Sequence, residues 1–248
     1  MRYYLSFLAA GFLALQFTTP LKADDADPAR AVIDKAIKAM GGEEKLAKFK
    51  NHTWKNKGNW YGMGDGVPYT ASYAVAWPDK FRFEVEGGFM TYVIDGDKGW
   101  VQPMGAETHE FSKEEMADQK EALHANWVTT LLPLKDKTYK LSLLGETKVA
   151  DKPAVGVKVS HKDHKDVSLY FDKDTGLLVK SENKVKDPEA GNVEVNQESL
   201  YSDYQDVEGA KMAMKMTILR DGKKYVEGEN FEIKPVDKHD DKTFAKPS

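Results

Sequence analysis

The chain has 248 residues, of which 41% are hydrophobic and 31% charged, with a formal net charge of -4 and no cysteine. That much apolar material buries a sizeable core, while the mild acidity argues against a nucleic-acid partner, which wants a basic face. The missing cysteines exclude disulfides, thiolate chemistry and a lipid carried on a cysteine.

Met1-Arg2, a mostly apolar run from Tyr3 to Phe17, and Thr18-Thr19-Pro20-Leu21-Lys22-Ala23 read as the three regions of a secretory signal peptide cut after Ala23. The run is short of the ~20 apolar residues that span a membrane, so cleavage is expected over anchoring and the mature chain is expected to hold no transmembrane segment. Cleavage removes Arg2 and Lys22, moving the charge from -4 to about -6, and leaves residues 24–248, read as a single domain.

Asp27 suits an N-cap and Pro28 a first helical position. Val32, Ile33, Ala36, Ile37 and Met40 follow at helical spacing, so a helix is predicted over 28–40, closed by Gly41-Gly42. Residues 43–49 read as a further short helical turn. From Thr53 the period becomes two: Tyr69, Ala71, Tyr73, Val75 and Trp77 share one face, and Thr70, Ser72, Ala74 and Ala76 the other. Phe81, Phe83 and Val85 continue the pattern, and strands over 89–94 and 99–102 flank the turn at Asp95-Gly96-Asp97. Ser112 with Glu115 forms a capping box that opens a helix of about 20 residues, with Met116, Leu123, Trp127 and Leu131 on one stripe, ending at Pro133. Alternating runs return at 139–149, 153–160, 166–172, 176–185, 195–204, 211–219 and 223–234, with turns at Asp172 to Gly176 and at Asp221-Gly222. The tail from Asp237 reads as irregular. These elements fit one α+β domain in which a long antiparallel sheet curls over helices or nearly closes on them.

Candidate chemistry is sparse. There is no Gly-x-Ser-x-Gly elbow and no H-E-x-x-H motif. His161 and His164 form an H-x-x-H pair beside Asp163 and Asp166, but residues three apart on an extended strand point to opposite faces, so a solvated turn is expected in place of a metal site. Asp172 to Gly176 opens like a calcium loop, yet Leu177 and Asn183 stand where that loop needs Gly and a bidentate Glu. Gly62 to Gly66 lacks the Lys-Ser/Thr of a phosphate loop and reads as a hairpin tip. The reading is therefore a non-enzyme without cofactor or metal. What remains is apolar surface gathered toward one side. Its candidate ligand-binding residues are Tyr69, Tyr73, Trp77, Phe81, Phe83, Met90, Tyr92, Trp100, Trp127, Met212, Met214 and Met216.

Several stretches together carry a resemblance. The first helix ends in Met40-Gly41-Gly42, and Trp77-Pro78-Asp79-Lys80-Phe81-Arg82-Phe83-Glu84 is followed by Asp95-Gly96-Asp97-Lys98-Gly99-Trp100. Further on come Leu169 to Val179, Tyr201 to Gly209 and Phe244-Ala245-Lys246-Pro247. In this order the chain resembles the LolA/LolB-like superfamily of bacterial envelope proteins, in particular outer-membrane lipoprotein-sorting proteins. The resemblance implies an unclosed antiparallel β-barrel, of about eleven strands by the runs above, with helices covering its concave face. It also implies a periplasmic, non-enzymatic carrier or binding protein for lipids or lipoprotein acyl chains, with envelope membrane proteins as further partners. The best-studied carriers place an arginine before the Pro of the second strand region to fasten a lid, and Trp77 stands there in this chain. The lid is expected in the mid-chain helix. The alternative is an envelope protein-interaction module with a filled core and no lipid cargo.

Overall fold

The computed structural model describes residues 27–62 and 64–247; the segment 1–23, read as an export signal, lies outside the described residues. Among the described residues, three α-helices, α1 (Pro28–Ala39), α2 (Glu43–Ala47) and α3 (Lys113–Thr129), accompany thirteen strands. The first six are β1 (Asn51–Trp60), β2 (Val67–Ala76), β3 (Lys80–Val85), β4 (Met90–Asp95), β5 (Lys98–Pro103) and β6 (His109–Glu110). After α3 come β7 (Lys140–Val149), β8 (Lys152–His161), β9 (His164–Asp172), β10 (Leu178–Asp187), β11 (Val193–Val207), β12 (Ala210–Arg220) and β13 (Lys223–Pro235). All thirteen join one antiparallel sheet in the order β6-β5-β4-β3-β2-β1-β13-β12-β11-β10-β9-β8-β7. The strand count exceeds the expected eleven by two, because short β6 carries no alternation and the largely polar β1 shows no apolar run that sets it apart from β2.

Two meanders make up this order, and the ladder between β1 and β13 joins them. The two sheet edges, β6 and β7, are neighbours in the chain, so α3, the segment between them, spans the gap that leaves the barrel unclosed. The expected architecture of a curved, unclosed barrel with helices is the one observed. Asp27 caps α1 by accepting from Ala29 N (3.0 Å) and Arg30 N (3.3 Å). The capping box of α3 is formed as read: Glu115 N donates to Ser112 Oγ (3.3 Å) and Ser112 N to Glu115 Oε2 (2.7 Å).

The end of α3 differs from the single stripe expected. Met116, Leu123 and Trp127 pack with Val75, Trp77 and Ile94 on the β2–β4 side. Ala125 and Val128 pack with Val157, Val159, Val167, Leu169 and α1 on the β8–β9 side. The helix is wedged between two wings and buries two faces. Leu131, expected on the stripe, lies beyond the helix in a left-handed conformation (φ 64) and is buried in the second of these clusters. Arg30 on α1 donates to the carbonyl of Leu134, and Lys135 pairs with Glu43, tying the chain after α3 to both short helices.

Asp-rich turns close the hairpins as read. Asp172 Oδ1 accepts from Thr175 N (2.7 Å), Thr175 Oγ1 (2.8 Å) and Asp174 N (3.1 Å), and those donors hold its carboxyl below the usual carboxylate range. The aspartate is fully used by its own turn. The tail after Asp237 covers the outer face of the sheet: Phe244 packs on Ala74, Val93 and Trp100, and the His239 ring hydrogen-bonds the Val75 carbonyl (2.6 Å).

The β1–β13 junction needs glycine twice. Gly58 faces Gly228 in register, a Cβ on Gly58 would sit 1.9 Å from the Glu227 carbonyl oxygen, and one on Gly228 would sit 2.4 Å from Asn56 Oδ1. Because the obstacle at Gly58 is backbone, the junction itself would have to part. Gly58→Ala should lower the unfolding free energy by about 3 kcal/mol, the upper end of ordinary overpacking, in urea titration followed by circular dichroism. A loss below about 1 kcal/mol would mean the junction tolerates separation.

Candidate binding cavity

Inside the curve of the sheet lies a cavity of about 390 Å³. That volume falls in the range of small-ligand sites and equals roughly a dozen waters' share of liquid. Strands β1, β2 and β3 supply an aromatic wall through alternating residues. His52 stacks on Trp54 (4.9 Å, 25°), Trp54 on Tyr73 (4.6 Å, 8°), and Tyr73 meets Phe81 edge-on (6.1 Å). Opposite it, β10 to β13 contribute Leu178, Tyr201, Tyr204, Met212, Met216, Ile218 and Ile233. Met40, Leu46 and Phe49 line it from the first helices, and Asn126, Thr129, Thr130 and Leu132 from the end of α3 and the turn after it.

The polar groups in this lining are largely turned into the protein. Asn56, 1% exposed, accepts from Tyr69 Oη (2.5 Å) and donates to Asn230 Oδ1 (2.7 Å); Asn230 in turn donates to the Ala213 carbonyl (3.0 Å). Tyr204 Oη donates to the Leu178 carbonyl (2.6 Å), Tyr201 bonds Ser181 Oγ (3.0 Å), and Thr130 Oγ1 donates to the Trp127 carbonyl (2.7 Å). With their hydrogen bonds spent, these residues present mainly carbon to the interior. Lys211 is the lone permanently charged side chain of the described lining, and it lies 3.8 Å from Asp206. Burial raises the Tyr73 and Tyr204 hydroxyls well above the ordinary tyrosine value and pushes Tyr69 up to about 12, so all stay neutral.

Of the residues singled out in the sequence, Tyr73, Trp77, Phe81, Met212 and Met216 line the cavity. Tyr69 stands one step behind, holding Asn56, and Phe83 tilts against Tyr73 (5.0 Å) outside the lining. Trp127 stacks on Trp77 (5.9 Å, 26°), whose buried indole Nε1 has no hydrogen-bond partner. Tyr92 lies under α3, donating to Gln119 Oε1 (2.7 Å), while Met90 pairs with Val85 and Pro103 at the far end of β4. Trp100 is on the outer face beneath Phe244. Met214 is buried outside the lining, although Met212 and Met216, two residues to either side of it, line the cavity. His52, Trp54 and Asn56 alternate in β1, and Gln197, Ser199 and Tyr201 in β11. That period-two spacing is the signal that marks them, although their polarity hides it.

No family model matches the sequence, and no curated protein matches it. Solved structures do match in fold. A LolA superfamily protein from Nitrosomonas europaea aligns over 88% of this chain and 97% of its own, at 11% identity and TM-score 0.55. A DUF1329 family protein from Desulfovibrio piger aligns over 88% and 97%, at 13% identity and TM-score 0.57. A domain described as an outer membrane lipoprotein-sorting protein, from Vibrio parahaemolyticus, aligns over 86% and 97%, at 10% identity and TM-score 0.51. The chain has a LolA-like fold. Among the described residues, no helix is long and apolar enough to cross a membrane.

His52 supplies a pH test of the cavity wall. Its Nδ1 lies 2.6 Å from the Phe49 carbonyl, and burial lowers its pKa from 6.5 to about 4 against the pull of that bond. Since the folded value lies below the unfolded one, this group's contribution is complete above pH 6.5 and is lost as pH falls toward 4. Its full size is about 3 kcal/mol at most. His52→Phe should flatten part of the acid slope of the urea midpoint between pH 6.5 and 4; an unchanged slope would show that His52 does not titrate with folding.

Proposed function

We propose that this chain is an exported, non-catalytic carrier that holds an acyl chain of a lipid or lipoprotein in the cavity while it crosses the periplasm. The observation that carries this reading is the cavity itself: about 390 Å³ of space inside the sheet, walled by stacked rings and methionines, with most of its polar groups, such as Asn56 and Tyr204, bonded to protein. Such a surface suits an uncharged, flexible, apolar body. About a dozen buried methylenes contribute roughly 10 kcal/mol before association costs are subtracted. The LolA-like fold supports the same reading, as does the fold shared with the Vibrio lipoprotein-sorting domain.

Loading and release need no covalent step, only access. The end of α3 lines the cavity and Trp127 stacks on Trp77, so the helix serves as the lid, fastened by an indole pair where the best-studied carriers use an arginine. Handover to an envelope membrane protein would follow movement of this helix.

Native mass spectrometry of protein purified from cells without detergent exchange should show lipid-sized adducts. Met216→Trp, which adds bulk to the lining without touching the Asn56 network, should cut the adducts and lower affinity for a fluorescent fatty acid about tenfold or more, leaving the melting temperature within a few degrees. A wild-type protein free of adducts and blind to the probe would overturn the carrier reading in favour of an interaction module.

A further inference from the structure

His161 and His164 were expected to point apart, but they face each other across the two-residue turn between β8 and β9. Their rings lie 5.3 Å apart on the side that receives α3. Between them and the helix sits His124, 7% exposed, stacked flat on His164 (3.8 Å, 7°) and on Tyr139 (5.9 Å, 5°), with His161 at 6.0 Å. Both ring nitrogens of His124 are buried without a hydrogen-bond partner. Parallel rings this close cannot both aim a lone pair at one ion, and no group of three or more His, Asp or Glu among the described residues is placed to hold a metal.

The surroundings decide what a proton would do. Glu121, one turn before His124, is the nearest carboxylate, and it is taken by His164 Nδ1 (3.1 Å) and Lys165 N (2.8 Å). Asp163 stands 4.0 Å from His161 at the hairpin tip, and Asp136 is held by Thr138 N (2.9 Å). Of the remaining charges on α3, Asp118 (2.9 Å) and Glu114 (3.5 Å) pair with Lys186 of β10, Glu115 with His109 (3.2 Å) and Lys120 with Asp97, while Lys113 is exposed at the start of the helix. A charged His124 would carry two N–H donors with no acceptor in reach, pressed against two more imidazoles. It would have to leave its slot to be solvated.

We propose that the His124–His161–His164 stack is an acid-released latch that regulates access to the cavity by holding the C-terminal half of α3 in place. Asn126, Thr129 and Thr130 line the cavity, and Trp127 holds Trp77, so a helix turn that swings His124 into water carries these residues with it. Burial first, and then the neighbouring His164, lower the His124 pKa from 6.5 to about 4, with Glu121 opposing them. The latch is therefore closed above pH 6.5 and gives way as pH falls toward 4. The link to cargo rests on the carrier reading above; the helix movement does not.

The chain has no cysteine, so spin labels can be placed without background. With labels at Asn126→Cys, an exposed position in the C-terminal half of α3, and Lys162→Cys at the hairpin tip, the interlabel distance should lengthen and broaden between pH 6.5 and 4, while circular dichroism retains the sheet. In His124→Phe, which keeps the stack and removes the proton site, the distance should stay constant; His124→Leu provides a second comparison if the phenyl ring does not fit. An invariant distance in the parent, or the same transition in both variants, overturns the latch. A bound fluorescent fatty acid should be released in the same pH window by the parent and retained by His124→Phe. Helix movement in a protein that never takes up the probe would overturn the carrier reading and leave the latch standing.

Discussion

The ladder between β1 and β13 is the constraint from which the rest of this molecule follows. It pairs residues near the start and end of the described chain, from His52 with Pro235 to Trp60 with Val226, and so closes a loop that spans nearly the whole sheet. Such distant pairing carries a large ordering cost and is recovered only when the neighbouring hairpins are already in place. Once it forms, two independent meanders become one surface whose ends are β6 and β7. Those ends are adjacent in the chain, and the residues between them have to bridge the opening.

That bridge explains the composition of α3. A helix covering one side of a sheet needs a single apolar stripe. This one meets a wing on each side, with Met116 and Leu123 turned one way and Ala125 and Val128 the other. Amphipathic patterning is consequently weak, and the capping box is the clearer mark of the helix. The same bridging keeps the cavity from filling: a helix held by two wings rests across the curve without sinking into it, and small or polar residues at its end, Asn126, Thr129 and Thr130, face the space beneath.

Most of the fold was legible because it is local. The hairpins are specified by Asp-Gly turns and by period-two alternation, both written in neighbouring residues, and the helix starts are specified by Asp27-Pro28 and by Ser112 with Glu115. What local patterns could not provide was which side of a strand faces the interior once both sides carry large groups. Tyr92 and Trp100 sit on the adjacent strands β4 and β5, yet Tyr92 packs beneath α3 while Trp100 belongs to the outer face, where a tail some 140 residues later lays Phe244 over it. Of the methionine run, Met212 and Met216 line the cavity and Met214 does not, a difference that an alternation of two does not contain. Most of the cavity wall was missed: about half of the missed residues are polar, with hydrogen bonds satisfied by partners far away in sequence, as Asn56 is by Asn230, and the others, such as Leu46, Phe49 and Ile233, are apolar residues that no local pattern separates from core. The H-x-x-H pair was misjudged by treating it as one strand when a two-residue turn folds it back on itself.

The helix over the opening is thus fastened by two contacts of different physical character. On the β2 side, Trp127 lies on Trp77, an uncharged contact whose strength comes from buried area and ring packing and which neither salt nor pH in the ordinary range alters. On the β8–β9 side, His124 lies on His164, a contact that is equally apolar in the neutral state but changes sign electrostatically once protons bind. An arginine in place of Trp77 would set a permanent charge at the mouth of an apolar space and require acceptors to be arranged around it. With tryptophan there, the described lining keeps Lys211 as its one fixed charge, and the contact of His124 with His164 lies behind the helix, outside that lining.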